Sequence, residues 1–210
     1  MKITLTVDRR IDMTGLLLAV VIGVLMLGAS GTAGAGPLDQ AGYVKVVTCS
    51  ACHGFNGNSR EDAVPILAGM APAYFRKTIE DYAAGRRVSA EMEPIAKQVK
   101  LLGVDEVAAF FAAQRREPAP TRPDGAAVER GRAAAAQCAT CHGAQGQGDP
   151  ARLVPRIAGQ PAGYLRNQLL LFKADRRSPG DEALATVKAV LRAVSDETLA
   201  DLAAYYSGLR

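Results

Sequence analysis

Cys49-Ser50-Ala51-Cys52-His53-Gly54 recurs 89 residues later as Cys138-Ala139-Thr140-Cys141-His142-Gly143. The echo extends on both sides. Gly42 pairs with Gly131 at the same offset, and Pro65-Ile66-Leu67-Ala68-Gly69 pairs with Pro155-Arg156-Ile157-Ala158-Gly159 at an offset of 90. Tyr74 pairs with Tyr164, Arg86-Arg87 with Arg176-Arg177, and Ala108-Ala109-Phe110-Phe111 with Ala203-Ala204-Tyr205-Tyr206 at an offset of 95. So small a drift over such a length marks two copies of one module. Between them, Arg115 to Gly125 holds three Pro and a Gly, which read as an extended linker. The expected modules are 36–114 and 126–210, with 115–125 joining them.

Each module reads as helical. Ser195 can cap a helix whose positive end is favoured by Asp196 and Glu197. Leu199, Leu202, Ala203 and Tyr206 follow at helical spacing, and Gly208 ends it. Tyr164, Leu165, Gln168, Leu169 and Phe172 form a second stripe, and 127–137 a third helix that runs into the cysteine motif. No segment alternates with period two as a half-buried strand does. The expected class is all-α.

Composition narrows the chemistry. The chain holds four Cys and two His, and both repeated motifs together use all six. A multi-His metal site is excluded. A formal charge of +4 with scattered basic residues does not argue for nucleic acid. Cys-x-x-Cys-His is the c-type haem attachment pattern: two thiols on one turn of chain, with the next residue offering imidazole to iron. Two copies imply two covalent haem c groups. Cys49, Cys52 and His53 would serve the first, and Cys138, Cys141 and His142 the second. A zinc site of four thiolates would leave both His without a role. A thioredoxin-like pair wants a βαβ context that the sequence lacks. Six Tyr, five Phe and no Trp are few aromatics for two small cores, a shortage that two flat apolar haems would make good.

The N-terminus reads as an export signal. Lys2, Arg9 and Arg10 precede an uncharged apolar run from Leu16 to Ala29, and Ala33-Gly34-Ala35 offers a cleavage site. The run is short for a spanning helix. Residues 1–35 are therefore expected to be removed and the rest to reside in the periplasm, with a membrane anchor as the alternative and peripheral membrane association possible.

These features together resemble the di-haem cytochrome c4 family, tandem class I cytochrome c domains of the bacterial periplasm. The likeness covers essentially all of 36–210. Its marks are the Cys-x-x-Cys-His-Gly motif, the Pro-x-x-Ala-Gly stretch, the Gly-Arg-Arg segment of the first module and the closing Ala-Ala-aromatic-aromatic helix. The resemblance implies one haem per module, a pseudo-twofold interface between modules, and propionates close together. It places the carbonyls of Pro65 and Pro155 against the proximal imidazoles, and Gly42 and Gly131 where first and last helices cross. It also sets Arg86, Arg87, Arg176 and Arg177 near the propionates, with solvated surface as the competing reading for these arginines.

In this family a Met sulfur binds the distal side of each iron. Met92, 39 residues after His53, matches that position; Met70 is its competitor. The second module departs from the pattern, because no Met follows residue 92. An offset of 95 puts Val187 opposite Met92. Lys188 is the nearest amine, a weak candidate for the second iron against an ordinary exposed lysine. The expected function is electron transfer between a respiratory or dehydrogenase donor and an acceptor such as a terminal oxidase. Its partners would be redox proteins: an oxidase, a cytochrome bc complex or a dehydrogenase. The alternatives are an electron-transfer subunit of a sulfur-compound or alcohol dehydrogenase, and a haem enzyme or gas-binding protein that uses an open second haem. No catalytic residue is visible apart from the second iron.

Overall fold

A computed structural model describes residues 42–120 and 122–210. The segment read as an export signal lies outside the described residues. In order, the helices are α1 (Tyr43–Val46), α2 (Ser50–His53), α3 (Pro72–Ala83), α4 (Met92–Leu102) and α5 (Val104–Ala113). There follow α6 (Gly125–Ala134), α7 (Ala136–His142), α8 (Ala162–Lys173), α9 (Ala185–Ala193) and α10 (Asp196–Gly208), with short 3-10 turns at Pro150–Arg152 and Glu182–Leu184. Among the described residues the only β-type pairings are the isolated bridges Arg87↔Arg177 and Asp149↔Val154. The all-α expectation holds. None of the described helices is long and apolar enough to cross a membrane.

Local sequence explains the main helices. Pro72 opens α3, where a missing N–H costs nothing, and Phe75, Ile79 and Tyr82 form its buried stripe. Ser195 caps α10: its Oγ accepts from Thr198 N at 3.1 Å, and Asp196 and Glu197 sit in the first turn. Leu199, Leu202, Ala203 and Tyr206 are then buried, as their spacing predicts. The stretch 127–137 is not one helix. It breaks at Ala135, between α6 and α7, so that the cysteine motif leaves the helix axis.

Two hydrophobic clusters follow the repeat. Phe75, Ile79, Val99, Val107, Phe110 and Phe111 centre the first. Leu165, Leu191, Leu199, Leu202, Ala203 and Tyr206 centre the second. Backbone hydrogen bonds repeat as well. Leu67 N and Ala68 N donate to Gly57 O, and Ile157 N and Ala158 N donate to Gly146 O. Gly69 N donates to Phe111 O, and Gly159 N to Tyr206 O.

The expected linker is extended but not loose. Ala119 is buried against Ile66 and Ala68, and its N–H donates to Gly159 O at 3.1 Å. Asn58 ties down its first residues, donating from Nδ2 to Arg115 O at 2.9 Å and accepting from Glu117 N at 2.9 Å. Arg116 donates to Ala68 O and Ala158 O, one from each repeat. Asp124 then caps α6, accepting from Ala127 N at 2.9 Å.

Gly131 lies inside α6 where it crosses α10. A Cβ there would stand 2.0 Å from Asp201 O, so the helices can approach this closely only with hydrogen at that position. Gly42, its sequence counterpart, also faces the last helix of its module, but at an ordinary 3.7 Å from Glu106 O and with φ +89. It is required for its backbone conformation rather than for space. Gly131→Ala is expected to lower stability by about 1–3 kcal/mol, the usual cost of overpacking a close contact. Denaturant unfolding of the variant beside the parent protein measures this.

Candidate haem sites and their junction

Each cysteine motif forms one helical turn ending in its histidine. In α2, Cys49 is half-buried and Cys52 exposed; in α7, Cys138 is half-buried and Cys141 exposed. Among the described residues none of the four is in a disulfide, so all are available for attachment.

The imidazoles are oriented alike. His53 donates from Nδ1 to Pro65 O at 2.8 Å, and His142 from Nδ1 to Pro155 O at 2.9 Å. The bond fixes the tautomer and leaves Nε2 as the metal-facing nitrogen. Burial lowers the pKa of both rings, and the carbonyl contact opposes it only in part. The rings are therefore held neutral, as a ligand to iron must be. The expected roles of Pro65 and Pro155 match this geometry. Their missing N–H is incidental; the carbonyl does the orienting.

The expected ligand Met92 is half-buried at the first position of α4 and packs on the first cluster together with Cys49 and Met70. Lys188, read as surface-like or as a weak ligand, is neither exposed nor free. It is 4% exposed, and its Nζ donates to Asp175 Oδ1 at 2.6 Å and to Ser178 O.

The four arginines divide. Arg86 and Arg176 are exposed, and Arg86 pairs with Asp81 at 2.9 Å. Arg87 and Arg177 are 2% and 9% exposed and bring the two Gly-Arg-Arg and Asp-Arg-Arg segments together as an antiparallel bridge. Gln168 Oε1 accepts from Arg87 Nε at 3.1 Å, from Arg87 Nη2 at 2.8 Å and from Arg177 Nη1 at 2.8 Å. Arg87 Nη2 also donates to Tyr164 OH, and Arg177 Nη2 to Tyr74 OH, at 2.7 and 2.8 Å. Arg87 stacks over Tyr82 at 4.5 Å, and Arg177 over Phe172 at 4.2 Å. Among the described residues neither guanidinium has a carboxylate at ion-pair distance. Two buried cations held only by neutral groups fit a site for anions, as the propionates of two haems would be.

Other residues close the junction, and sequence reasoning had not marked them. Gln160 accepts from Ile66 N at 2.8 Å and donates to Ile66 O at 2.9 Å, acting as a strand partner across the repeats. Asp62 of the first repeat caps α8 of the second: Gly163 N donates to its Oδ1 at 3.0 Å and Tyr164 N to its carbonyl at 2.8 Å. The one available signal was that Gln160 stands where the first repeat has Met70, a polar residue in place of an apolar one.

Gln168→Leu would remove the shared acceptor and leave three buried N–H groups short of a partner. It is expected to cost about 1–3 kcal/mol. Chemical unfolding of the haem-loaded protein measures this, with haem content unchanged.

Comparison with known proteins agrees with the geometry. The family model described as Cytochrome c matches residues 128–209. Cytochrome c4 of Pseudomonas aeruginosa is 31% identical over 194 residues, covering 89% of this chain and 96% of that one. A thiosulfate dehydrogenase electron acceptor of Stutzerimonas stutzeri is 32% identical over 180 residues, covering 78% and 79%. The crystal structure of reduced cytochrome c4 from Pseudomonas stutzeri superposes with a TM-score of 0.73 at 28% identity, covering 81% of this chain and 97% of that one. Matched across nearly the whole relative, with both attachment motifs and both proximal contacts in place, the chain belongs to the cytochrome c4 family, electron-transfer cytochromes with two covalently attached haem c groups.

Proposed function

We propose that residues 36–114 and 126–210 are two haem modules joined by 115–125, and that together they relay single electrons in the periplasm after removal of residues 1–35. The observation that carries this reading is the His–Pro contact on the attachment turn, present once in each repeat, together with the buried pair of arginines that joins the repeats. Cys49 and Cys52 tether the first haem and His53 ligates it, with Met92 on the distal side. Cys138, Cys141 and His142 hold the second. Bound haem supplies the one-electron iron couple.

The chain's residues set the conditions for that couple. Burial keeps each imidazole neutral, and the Pro65 and Pro155 carbonyls hold it correctly turned, so each would meet iron as a fixed neutral ligand. Arg87 and Arg177 hold the propionate edges at the junction. Because both guanidiniums share Gln168, a charge change on one side is felt on the other. Asp62, Gln160 and the seated linker keep the modules in one arrangement.

Residues 36–117 carry ten basic and ten acidic groups, and 118–210 carry twelve and nine. Steering of partners by net charge is therefore weak, and docking relies on local surface. The donor is a respiratory complex or a dehydrogenase, and the acceptor a terminal oxidase. A second reading is favoured by the thiosulfate dehydrogenase electron acceptor among the relatives: service as the electron-accepting partner of a sulfur-compound dehydrogenase.

The test is a haem count. The exported protein is expected to carry two c-type haems per chain by pyridine haemochrome. Replacing both Cys138 and Cys141 by Ala is expected to leave one. Met92→Ala is expected to remove the thioether-to-iron band at the red edge of the oxidised spectrum and to lower the first potential. Two haems that persist without Cys138 and Cys141 would refute the assignment.

A further inference from the structure

Where module 1 has Met92, module 2 has Leu184, and we propose that the second iron consequently has no protein ligand on its distal side and takes a small neutral diatomic molecule there. The proposal rests on the two-haem reading above.

The register comes from buried positions. α3 and α8 are both twelve residues long and start 90 residues apart. In α4 the buried residues are Ala96 and Val99; in α9 they are Lys188 and Leu191. Both pairs have the same spacing, and both offsets are 92. Met92 therefore matches Leu184; both are half-buried, Met92 opening α4 and Leu184 immediately preceding α9. The offset of 95 used for the sequence expectation belongs to the last helices. α10 has thirteen residues against ten in α5, one turn more at its N-terminus. That extra turn made Val187 look like the counterpart of Met92. Val187 is 36% exposed, while Lys188 beside it is buried. Two further residues between Arg177 and Leu184 make room for the turn Glu182–Leu184.

Leucine cannot ligate iron. All four Cys and both His belong to the proximal motifs, and the chain has no Met after residue 92. Lys188, the nearest amine, lies a single turn beyond Leu184. Its amine is already committed. It bridges Asp175 Oδ1 and Ser178 O, and these two residues have φ of +53 and +49, a region that non-glycine residues seldom adopt. Module 1 has Gly85 and Ala96 in place of Asp175 and Lys188, so it needs no such tie. The ion pair holds the loop that carries Arg177. Moving the amine to iron would release that loop. The distal position is thus left to an apolar side chain, which favours a neutral ligand over an anion.

The experiment uses dithionite-reduced protein shown to hold two haems per chain, with carbon monoxide as the probe. About half of the haem absorbance is expected to shift, one haem of two. An unchanged spectrum overturns the proposal. Leu184→Met is expected to abolish the shift and to strengthen the oxidised thioether band; a variant that binds carbon monoxide as before overturns the assignment of position 184. If carbon monoxide binds only after Lys188→Met, the lysine is the ligand and the proposal fails. A preparation with one haem per chain refutes the two-haem reading itself, and this proposal with it. Two haems without carbon monoxide binding refute the proposal alone.

Discussion

Two guanidinium groups, Arg87 and Arg177, lie buried at one point between two repeats, and the rest of the molecule is arranged around them. Burying a cation is costly unless polar groups or an opposite charge compensate it. Here Gln168, Tyr74 and Tyr164 supply neutral acceptors, while Tyr82 and Phe172 supply aromatic faces. The arrangement draws donors and acceptors from both repeats. Neither half alone contains the set. The two modules therefore act as one unit at this point, and the buried pair would offer a counter-charge to an anionic edge of each cofactor.

The same junction gives electron relay a physical basis. The proximal side of each module is built identically, with a neutral imidazole held by a proline carbonyl. The distal sides differ. On the proposed register module 1 offers a thioether and module 2 leucine, while Lys188 is engaged in holding the loop of Asp175 and Ser178. On the proposed assignment, like proximal halves with unlike distal halves would give two irons with unlike potentials, and so a direction for an electron moving between them.

How far the sequence could be read depends on the range of the interaction concerned. Attachment residues were legible because covalent tethering demands two thiols at fixed spacing with an adjacent ligand. The cap at Ser195 and the stripe beneath it were legible because both act within two turns. Arg87 and Arg177 could be picked out but not distinguished from surface residues, since their burial depends on a partner segment 90 residues away. Gln168 looked like a polar interruption of an apolar stripe. Lys188 looked like an ordinary surface amine. The proposed register moves the counterpart of Met92 from Val187 to Leu184 for a local reason: helices lengthen by whole turns, so an offset measured in one helix does not carry into its neighbour.

The sequence by itself determined the repeat, the helical class, the number of covalent haems and the motifs that attach them. Each of these follows from residue identity and short spacing. Tertiary structure alone decided what the repeats share: the seated linker, the capping of α8 by Asp62, the Gln160 bridge and the pairing of two buried arginines. These depend on how chain segments far apart in sequence approach each other, and that approach is set by packing around the junction rather than by any local pattern.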